Sequence, residues 1–434
     1  MKTFGCQMNV YDSERITHLL AARNYHLVED PSEADLIFLN TCSVREKPEQ
    51  KVYSALGRLR ALKKKKSKLI IGIGGCLAQQ EGEAFLQRFP HVDFVVGTKE
   101  LSRIAELLNA LETSGKRGFA ANLNGRVDPY ATLPFSPPAS KVVAFVSIMQ
   151  GCDNFCSFCI VPYVRGREVS RASQEILKEI RSLAAQGVKE VTLLGQNVNS
   201  YGQTSPGELD FVKLLKAVQE IAGIERIRFT TSHPKDLSNP LIEAFGKFPK
   251  LCEHIHLPLQ SGSARILQRM NRGYSPEDYL RKIRDLRQSC PGISVTTDMI
   301  VGFPGEEEED FHASMEMIEK VQFDDLFSFK YSDRPGTRAT LFNEKVPEEI
   351  GQRRLVELQA LQRKITWKRI KAWEEKEVEV LVEGRSKANA AENMGRTRTN
   401  HIVNFPGKTL ASGSMVRLRI QKAYAHSLRG EKIL

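Results

Sequence analysis

Alternation of short apolar runs with helical stretches constrains this chain more than any other feature of its sequence. Between residues 141 and 331, six strand-like runs alternate with stretches of helical periodicity. The runs are residues 142–149, 190–194, 226–231, 254–257, 294–301 and 325–331. Strands separated by helices pair in parallel, so an α/β fold is predicted, with this segment forming a partial (β/α)6 TIM-like barrel.

The same rhythm occurs near the start of the chain. Apolar runs lie at residues 3–4, 35–39 and 68–73. Helical stretches follow them at 12–23, 47–62 and 78–88. This pattern predicts an N-terminal α/β domain with a parallel sheet. A proline-rich segment at 128–139 is the best candidate for the linker to the barrel.

The periodicity changes in the last part of the chain. Residues 347–376 have the pattern of a long charged helix, and valines then alternate with charged residues from 378 to 382. Strand-like pieces at 397–405 and 415–421 complete the pattern of a small antiparallel β-barrel. The chain of 434 residues is therefore expected to divide into three domains, at 1–135, 140–370 and 374–434.

Composition limits the function classes. The net charge of +11 favours a polyanionic partner, although proteins that bind no polyanion reach the same value. There is no apolar run of membrane-spanning length and no pattern of a signal peptide, so a soluble, cytoplasmic protein without membrane contact is expected. The 8 cysteines then indicate metal binding or redox chemistry, with inert burial as the alternative for each one.

Three cysteines follow the first strand of the predicted barrel with C-x3-C-x2-C spacing; Cys152, Cys156 and Cys159 are called here the loop triplet. Three thiolates on one short loop can bind three irons of a 4Fe-4S cluster and leave the fourth iron open for a cofactor. A structural zinc ion would need a fourth ligand, and no histidine occurs between His91 and His233. A cluster is therefore favoured, with zinc and chance spacing as alternatives.

A second set of cysteines, Cys6, Cys42 and Cys76, is called here the scattered triplet. Its members are 36 and 34 residues apart, and each lies one to four residues past the end of a predicted strand. The carboxyl ends of parallel strands share one edge, so these thiols are expected to meet in a second metal site. Small residues in tight turns are the alternative. Cys252 and Cys290 show no such placement and are interpreted as structural.

Eight short motifs, which include both triplets, extend over nearly the whole chain. They read GCQMN at 5–9, NTCSVREK at 40–47, GCLAQ at 75–79, CDNFCSFCIVPYVRGR at 152–167, LGQNVNSY at 194–201, LPLQSGS at 257–263, TDMIVGFPGE at 297–306 and YSDRPGT at 331–337. In combination they resemble the motifs of the radical S-adenosylmethionine (SAM) methylthiotransferase family, most closely its MiaB-type branch. This resemblance implies that the loop triplet holds a 4Fe-4S cluster whose open iron binds SAM. It also implies that the scattered triplet holds an auxiliary 4Fe-4S cluster.

The resemblance implies an activity as well. Members of this branch add a methylthio group to C2 of N6-isopentenyladenosine at tRNA position 37, next to the anticodon. One SAM would donate the methyl group and another would be the radical source. No acid–base residue is expected, because C2 carries no acidic proton. The implied partners are the tRNA anticodon stem-loop, an electron donor such as flavodoxin or ferredoxin, and iron-sulfur assembly proteins; a monomer is expected.

Candidates for binding SAM lie at or beside the carboxyl ends of the barrel strands, where barrel enzymes bind their ligands. They are Phe158, Gly195, Gln196, Ser232, Gln260 and Val301. Gly195 permits close approach of the backbone but is also common in ordinary turns. Gln196 has a surface amide as its alternative, and Val301 a core residue.

The tail from Glu377 onward resembles a TRAM domain, a small RNA-binding barrel. Arg334, in the motif at 331–337, is a candidate for binding a substrate phosphate, with a helix-capping salt bridge as its alternative. The candidates for RNA contact on the tail are Arg396, Arg398, Arg417, Arg419 and Lys422.

The start of the chain departs from the family pattern, and other functions compete with the favoured one. Only five residues precede Cys6, fewer than is usual in the family, so the first strand is expected to be short or cut off. Related activities also compete with the favoured one: methylthiotransfer to threonylcarbamoyl-adenosine in tRNA or to a ribosomal-protein aspartate. From a different class, a non-catalytic iron-sulfur RNA-binding sensor is the alternative, and the complete loop triplet argues against it.

Overall fold

A computed structural model describes residues 1–43, 46–123, 130, 141–387 and 389–433. The predicted linker at 128–139 lies outside the described residues, apart from Tyr130, and so do two residues of the motif at 40–47. In the part of the chain that is described, no helix is both long enough and apolar enough to cross a membrane.

The first segment forms a five-stranded sheet in which every pairing is parallel, as predicted. Its strands, in spatial order, are β1 (Lys2–Thr3), β2 (Leu36–Thr41), β3 (Ile70–Gly75), β4 (Phe94–Val96) and β5 (Gly118–Ala120). Its helices are α1 (Gln7–Ala21), α2 (Glu46–Lys65), α3 (Cys76–Glu81), α4 (Ala84–Arg88) and α5 (Ile104–Ser114). The sequence predicts three of these strands, and β4 and β5, of three residues each, are additional.

Two predicted helices in this segment differ from the structure. The helix predicted at 12–23 begins five residues earlier, at Gln7, directly after Cys6. The helix predicted at 78–88 is two helices, because Gly82 adopts a φ of +53° and ends α3. A left-handed residue cannot continue a right-handed helix, so the chain turns there.

The central segment has the six parallel strands that the sequence predicts. In chain order, the strands of this segment are β6 (Val143–Ser147), β7 (Met149–Gln150), β8 (Val169–Ser170), β9 (Glu190–Leu194), β10 (Arg226–Phe229), β11 (His254–His256), β12 (Ser294–Val301) and β13 (Asp325–Lys330). The six predicted strands form two three-stranded sheets, β10-β9-β6 and β11-β12-β13, joined by a parallel bridge between Ile227 and Leu251. The short strands β7 and β8 pair in a separate ribbon.

Within the described residues, this segment has eight α-helices. They are α6 (Val161–Arg165), α7 (Ser173–Ala185), α8 (Phe211–Gln219), α9 (Asn239–Lys247), α10 (Ala264–Arg269), α11 (Pro276–Ser289), α12 (Glu308–Val321) and α13 (Glu348–Lys371). Buried aliphatic side chains of the strands and helices form the largest apolar core of the chain. Alternate strand residues enter this core, which leaves the other face of each strand for the concave side.

The tail is a closed five-stranded barrel, as predicted. Its strands are β14 (Glu377–Arg385), β15 (Asn393–Thr397), β16 (Ile402–Phe405), β17 (Met415–Tyr424) and β18 (Ser427–Lys432). The pairings are antiparallel except that of β16 with β18, which is parallel. The strand-like piece predicted at 397–405 contains the turn between β15 and β16.

That turn docks against the amino-terminal ends of the central strands. Arg226 and Arg228, at the start of β10, donate hydrogen bonds to backbone carbonyl oxygens of the tail. The acceptors are Arg396 for Arg226, and Arg398 and Thr397 for Arg228, at 2.7 to 2.8 Å. The tail barrel therefore closes the end of the partial barrel opposite to the one that carries the loop triplet.

The first sheet packs on the partial barrel through buried polar groups. Arg15 and Tyr11 of α1 contact Glu179 of α7, and Arg171 joins the same carboxylate at 2.9 Å. All four side chains lie in residues that are at most 6% exposed. A buried charge network of this kind requires good geometry, so it restricts the relative placement of the two segments.

Candidate iron-sulfur centres

The scattered triplet lies at the carboxyl ends of three adjacent strands of the first sheet. Cys6 directly precedes α1, Cys42 directly follows β2, and Cys76 is the first residue of α3. Gly75 has a φ of +92°, and a Cβ there would lie 2.3 Å from the carbonyl oxygen of Thr41. Glycine is therefore required for the turn that presents Cys76. The three cysteines occupy the edge where the strand period places them, and their role as ligands stays a prediction.

The three thiols of this triplet influence one another. Cys42 and Cys76 are buried, whereas Cys6 is exposed. Burial raises the pKa of Cys76 to about 12, the charge of Arg165 lowers this pKa, and Cys42 and Cys6 raise it. Thiolates at such a site need cationic partners, which iron ions supply.

The loop triplet follows β7 on a tightly held loop. Gly151 has a φ of +82°, and its N–H donates to the side-chain oxygen of Gln196 at 2.6 Å. The backbone N–H of Cys159 donates to the carbonyl oxygen of Cys156 at 2.9 Å. Burial raises the pKa of Cys159 to about 12 and that of Cys152 to about 11, and in both cases the charge of Cys156 adds to the effect.

Two basic side chains flank the middle cysteine of this loop. Arg272 donates from Nη1 to the sulfur of Cys156 at 3.3 Å and from Nη2 to the carbonyl oxygen of Pro258 at 2.7 Å. The Nε2 atom of His233 lies 4.0 Å from the same sulfur. No spacing relates Arg272 and His233 to the cysteines, so neither residue is predictable from the sequence pattern.

Cys76 of the scattered triplet packs against the segment that follows the loop triplet, at the boundary between the first sheet and the partial barrel. The helix α6 begins two residues after Cys159, and its residues Ile160 and Val164 form a small apolar cluster with Cys76. At the end of α6, Arg165 reaches Asp12 of α1 at 2.8 Å. One short segment therefore connects both cysteine sets.

The donor sets suit clusters better than single ions. Among the described residues, no three thiol, imidazole or carboxylate groups converge as the ligands of one metal ion do. A 4Fe-4S cluster makes a different demand, because each thiolate binds a separate iron. Neither triplet has the closed tetrahedral donor set of a structural zinc site.

Three predicted SAM contacts adjoin the loop triplet. Phe158, within the loop, packs edge-to-face on Phe303 with ring centres 6.5 Å apart. A Cβ on Gly195 would lie 2.5 Å from the side chain of Met149, so close packing explains this glycine. Gln196 is not a free surface amide, because it holds the start of the cysteine loop. Contact of these residues with SAM stays a prediction.

The other three predicted SAM contacts lie at the ends of later strands. Ser232 is 3% exposed, and its hydroxyl has no partner among the described residues. Gln260 has a φ of +74° and its carbonyl oxygen accepts from the N–H of Ile300. Val301 lies in the apolar core, and its carbonyl oxygen accepts from Tyr331. Val301 thus has the core placement that was its alternative.

Buried polar atoms without partners gather beside the loop triplet. Glu168 accepts from Ser200 through one carboxylate oxygen, and its other oxygen has no partner within the described part of the chain. The same holds for both amide atoms of Asn199 and for the amide oxygen of Asn197. Burial raises the pKa of Glu168 to about 7, and the hydrogen bond from Ser200 opposes this shift. Unsatisfied buried groups are costly, so a polar ligand such as SAM fits here.

The backbone is strained at the same end of the barrel. Thr231, the second residue after β10, has a φ of +70°, and Phe155 in the cysteine loop has a φ of +47°. A positive φ is unfavourable for a β-branched residue, and such positions are common where a ligand binds. None of Glu168, Asn197, Asn199 and Thr231 is predicted from the sequence, although Asn197 and Asn199 lie in the motif at 194–201 and Glu168 directly follows the motif at 152–167.

Arg334, the predicted phosphate contact, lies between the first sheet and the partial barrel. Its guanidinium group is 3.4 Å from the carboxylate of Glu49 in α2, and its side chain is 12% exposed. This is an ion pair between two segments, not the helix-capping bridge that was its alternative. Close by, a cavity of about 240 Å³ opens at the carboxyl ends of β12 and β13, lined in part by Gly302, Tyr331 and Asp333.

The five predicted RNA contacts of the tail divide into two groups. Arg398 binds the carboxylate of Glu253 at 2.9 Å in the docking turn, and Arg396 binds Glu383 at 3.1 Å. The remaining three are exposed on β17; they are Arg417, Arg419 and Lys422. Arg419 shares a surface ion pair with Glu377 at 3.2 Å. RNA contact by any of the five stays a prediction.

Three family models match the chain in succession. They are Uncharacterized protein family UPF0004 at residues 1–97, the Radical SAM superfamily at 146–318, and the TRAM domain at 373–433. The first match ends before β5 of the first sheet and the second before β13 of the partial barrel, whereas the third covers the tail barrel.

Solved structures support the fold. A radical S-adenosylmethionine methyltransferase, TsrM, from Kitasatospora setae has a TM-score of 0.57 at 15% identity, over 76% of this chain and 70% of that one. The cobalamin-dependent radical enzyme OxsB has a TM-score of 0.51 at 14% identity, over 83% of this chain and 55% of that one. At this identity the likeness concerns the fold alone.

Curated relatives are far more similar in sequence. The protein named tRNA-2-methylthio-N(6)-dimethylallyladenosine synthase from Syntrophus aciditrophicus is 54% identical over 100% of this chain and 94% of its own length. Those of the same name from Geotalea uraniireducens and Syntrophobacter fumaroxidans are 51% and 52% identical over 99% of this chain. With such identity over its whole length, the chain belongs to the radical SAM methylthiotransferases, in the family of tRNA-2-methylthio-N(6)-dimethylallyladenosine synthases.

Proposed function

We propose that this enzyme adds a methylthio group to C2 of N6-isopentenyladenosine at tRNA position 37, next to the anticodon. The observation that carries the proposal is that Cys76 of the scattered triplet packs against Ile160 and Val164, in the segment that directly follows the loop triplet. The family name supports the substrate, because the relatives are at least 51% identical over essentially the whole chain. When bound, the two 4Fe-4S clusters and two molecules of SAM supply the electron, the radical, the sulfur and the methyl group.

We assign the loop triplet to the cluster that binds SAM and the scattered triplet to the auxiliary cluster. The loop triplet lies at the carboxyl ends of the barrel strands, where barrel enzymes bind their ligands. The unsatisfied atoms of Glu168, Asn199 and Ser232 lie at that end and provide acceptors and donors for a polar cofactor. The Cys6 side of the scattered triplet is exposed, which leaves an approach for the substrate base.

Each of the three segments has its own role in the proposed reaction. We propose that residues 1–135 carry the auxiliary site, 140–370 the SAM site and 374–434 an RNA-binding barrel. Arg417, Arg419 and Lys422 are exposed and suit phosphate contact. Arg334, Arg396 and Arg398 would have to release Glu49, Glu383 and Glu253, respectively, before they could bind RNA. We further propose that the enzyme acts in the cytoplasm as a monomer. Its partners would be an electron donor such as flavodoxin or ferredoxin, and iron-sulfur assembly proteins.

The test is complementation of a bacterial strain that lacks its own methylthiotransferase for this nucleoside. Digested tRNA is analysed by mass spectrometry after expression of the unchanged chain, a Cys76→Ala variant or a Cys290→Ala variant. Cys290 is a matched control, because it is buried in the apolar core away from both triplets. The unchanged chain and the control are expected to restore the 2-methylthio nucleoside, and Cys76→Ala to leave the isopentenyl nucleoside unmodified. Restoration by Cys76→Ala would refute the assignment of the scattered triplet.

The same cells also test the competing activities. A methylthio group on threonylcarbamoyl-adenosine or on a ribosomal-protein aspartate, with none on isopentenyl-adenosine, would identify one of the related activities instead. With purified protein, Cys76→Ala is expected to retain SAM cleavage and lose sulfur transfer, because only the auxiliary site is changed. Loss of both activities would contradict separate roles for the two triplets.

A further inference from the structure

A buried arginine beside the scattered triplet has an unused hydrogen-bond donor. Arg165 is 2% exposed, and its Nη2 donates to the side-chain oxygens of Asn9 and Asp12, both at 2.8 Å. Its Nη1 is also buried, and it has no acceptor among the described residues. A charged donor that is removed from water is costly to leave unpaired, so an acceptor is expected in the functional state.

The surroundings of this donor identify the kind of acceptor. Cys76 packs against Ile160 and Val164, which belong to the same turn of chain as Arg165. Arg165 directly follows Val164, so its side chain lies close to that of Cys76, although Nη1 makes no hydrogen bond of full geometry to a described residue. An acceptor on the Cys76 side of Nη1 would complete the coordination of the guanidinium group.

We propose that Nη1 of Arg165 donates a hydrogen bond to the sulfur of the auxiliary cluster held by Cys6, Cys42 and Cys76. The proposal rests on the proposed function, in which this triplet holds a 4Fe-4S cluster. Arg165 is then a positioning residue that raises the reduction potential of that cluster. The guanidinium charge stabilises the reduced form more than the oxidised one, because the reduced cluster carries one more negative charge.

The two triplets are alike in that a buried arginine lies beside each of them. Arg272 donates to Cys156 of the loop triplet at 3.3 Å, so each cysteine set has one buried arginine. Arg165 is the sixth residue after Cys159, at the end of the segment that carries the loop triplet. The barrel therefore contributes its own charge to the cluster site of the first sheet.

A structural role is the alternative. Arg165 links α6 to α1 through Asp12, and Tyr130 donates to the same carboxylate at 2.6 Å. If this link were its whole purpose, Arg165→Met and Asp12→Asn would have the same effect, because both break it. If Arg165 acts on the cluster by its charge, the two variants shift the reduction potential in opposite directions.

The experiment is an anaerobic redox titration of the auxiliary cluster, followed by electron paramagnetic resonance. It uses the full chain with Cys152, Cys156 and Cys159 replaced by alanine, so that only the auxiliary cluster gives a signal. Arg165→Met, Arg165→Lys, Asp12→Asn and Arg272→Met are compared in this background, with iron content and circular dichroism measured for each.

Arg165→Met is expected to lower the midpoint potential so that, at a fixed potential, the ratio of reduced to oxidised cluster falls about tenfold, or about 59 mV for one electron. Arg165→Lys keeps the charge, so its midpoint potential should lie between those of the background chain and Arg165→Met. This variant also tests the proposal if Arg165→Met does not fold. Asp12→Asn should raise the potential, and the control Arg272→Met should leave it unchanged. An unchanged potential in both Arg165 variants, or equal shifts for Arg165→Met and Asp12→Asn, would overturn the proposal alone. Failure of the background chain to bind any cluster would overturn the proposed function as well.

Discussion

Replacement of Arg228 by methionine tests how the tail barrel is held on the partial barrel. The side chain of Arg228 is 6% exposed and pairs with that of Glu190, 2% exposed, at 2.8 Å. Two further donors of Arg228 bind the carbonyl oxygens of Arg398 and Thr397 at 2.8 and 2.7 Å. Removal of one partner from a buried ion pair costs about 3–5 kcal/mol, because the other charge stays buried and unpaired. We expect a loss of that size for Arg228→Met.

The assay is anaerobic urea unfolding of the apoprotein, followed by circular dichroism, with limited proteolysis to detect release of the tail. The control is Arg419→Met, whose exposed ion pair with Glu377 is worth about 1 kcal/mol or less. A second change, Glu190→Gln, should recover part of the loss, because no unpaired charge then remains. A loss for Arg228→Met no larger than that of the control, with no release of the tail, would refute this account of the docking.

Three further predictions follow from single residues. Because burial raises the pKa of Glu168 from 4.5 to about 7, the unfolded chain ionises first as pH rises. Stability of the apoprotein should therefore fall between those two values, by at most about 3 kcal/mol, and thermal unfolding of Glu168→Gln at pH 5 and pH 8 should show that part of the fall removed. Gly75→Ala should destabilise the protein by more than about 2 kcal/mol, because the added Cβ would lie 2.3 Å from the carbonyl oxygen of Thr41. Gly82→Ala should cost only about 1 kcal/mol, because a Cβ there meets nothing within 4 Å. Equal losses of stability in urea unfolding would contradict this. Finally, Arg417→Ala should reduce the slope of log K against log salt for tRNA binding by about 0.7–0.9, whereas an unchanged slope would exclude a phosphate contact by Arg417.

Much of the architecture follows from periodicity. Apolar runs that alternate with helical stretches predict the parallel sheet and the six barrel strands, and the structure has both. The short strands β4 and β5 could not be predicted from the sequence, because runs of three residues show no distinct period. The helix break at Gly82 was also missed, because a single glycine inside a helical pattern is often tolerated.

The site was predictable to the extent that it depends on local spacing and on strand topology. The loop triplet is visible as spacing, and Cys6, Cys42 and Cys76 reach one edge because parallel strands present their carboxyl ends on the same side. The unsatisfied groups at Glu168 and Asn199 were not predictable, since their burial depends on how several loops pack together.

Residue types at short spacing are sufficient to predict the three architectures, the order of the cysteines and the family motifs. Which charged residues are exposed and which are held in ion pairs depends instead on how the folded segments pack. Arg398 and Arg417 are both basic residues of the tail, yet one is held by Glu253 in the docked turn and the other is exposed. Arg165 meets Asp12 across 153 residues of sequence, beside a cysteine set that belongs to another segment. Burial and pairing of this kind arise where segments far apart in the sequence pack together, and no local pattern in the chain encodes that contact.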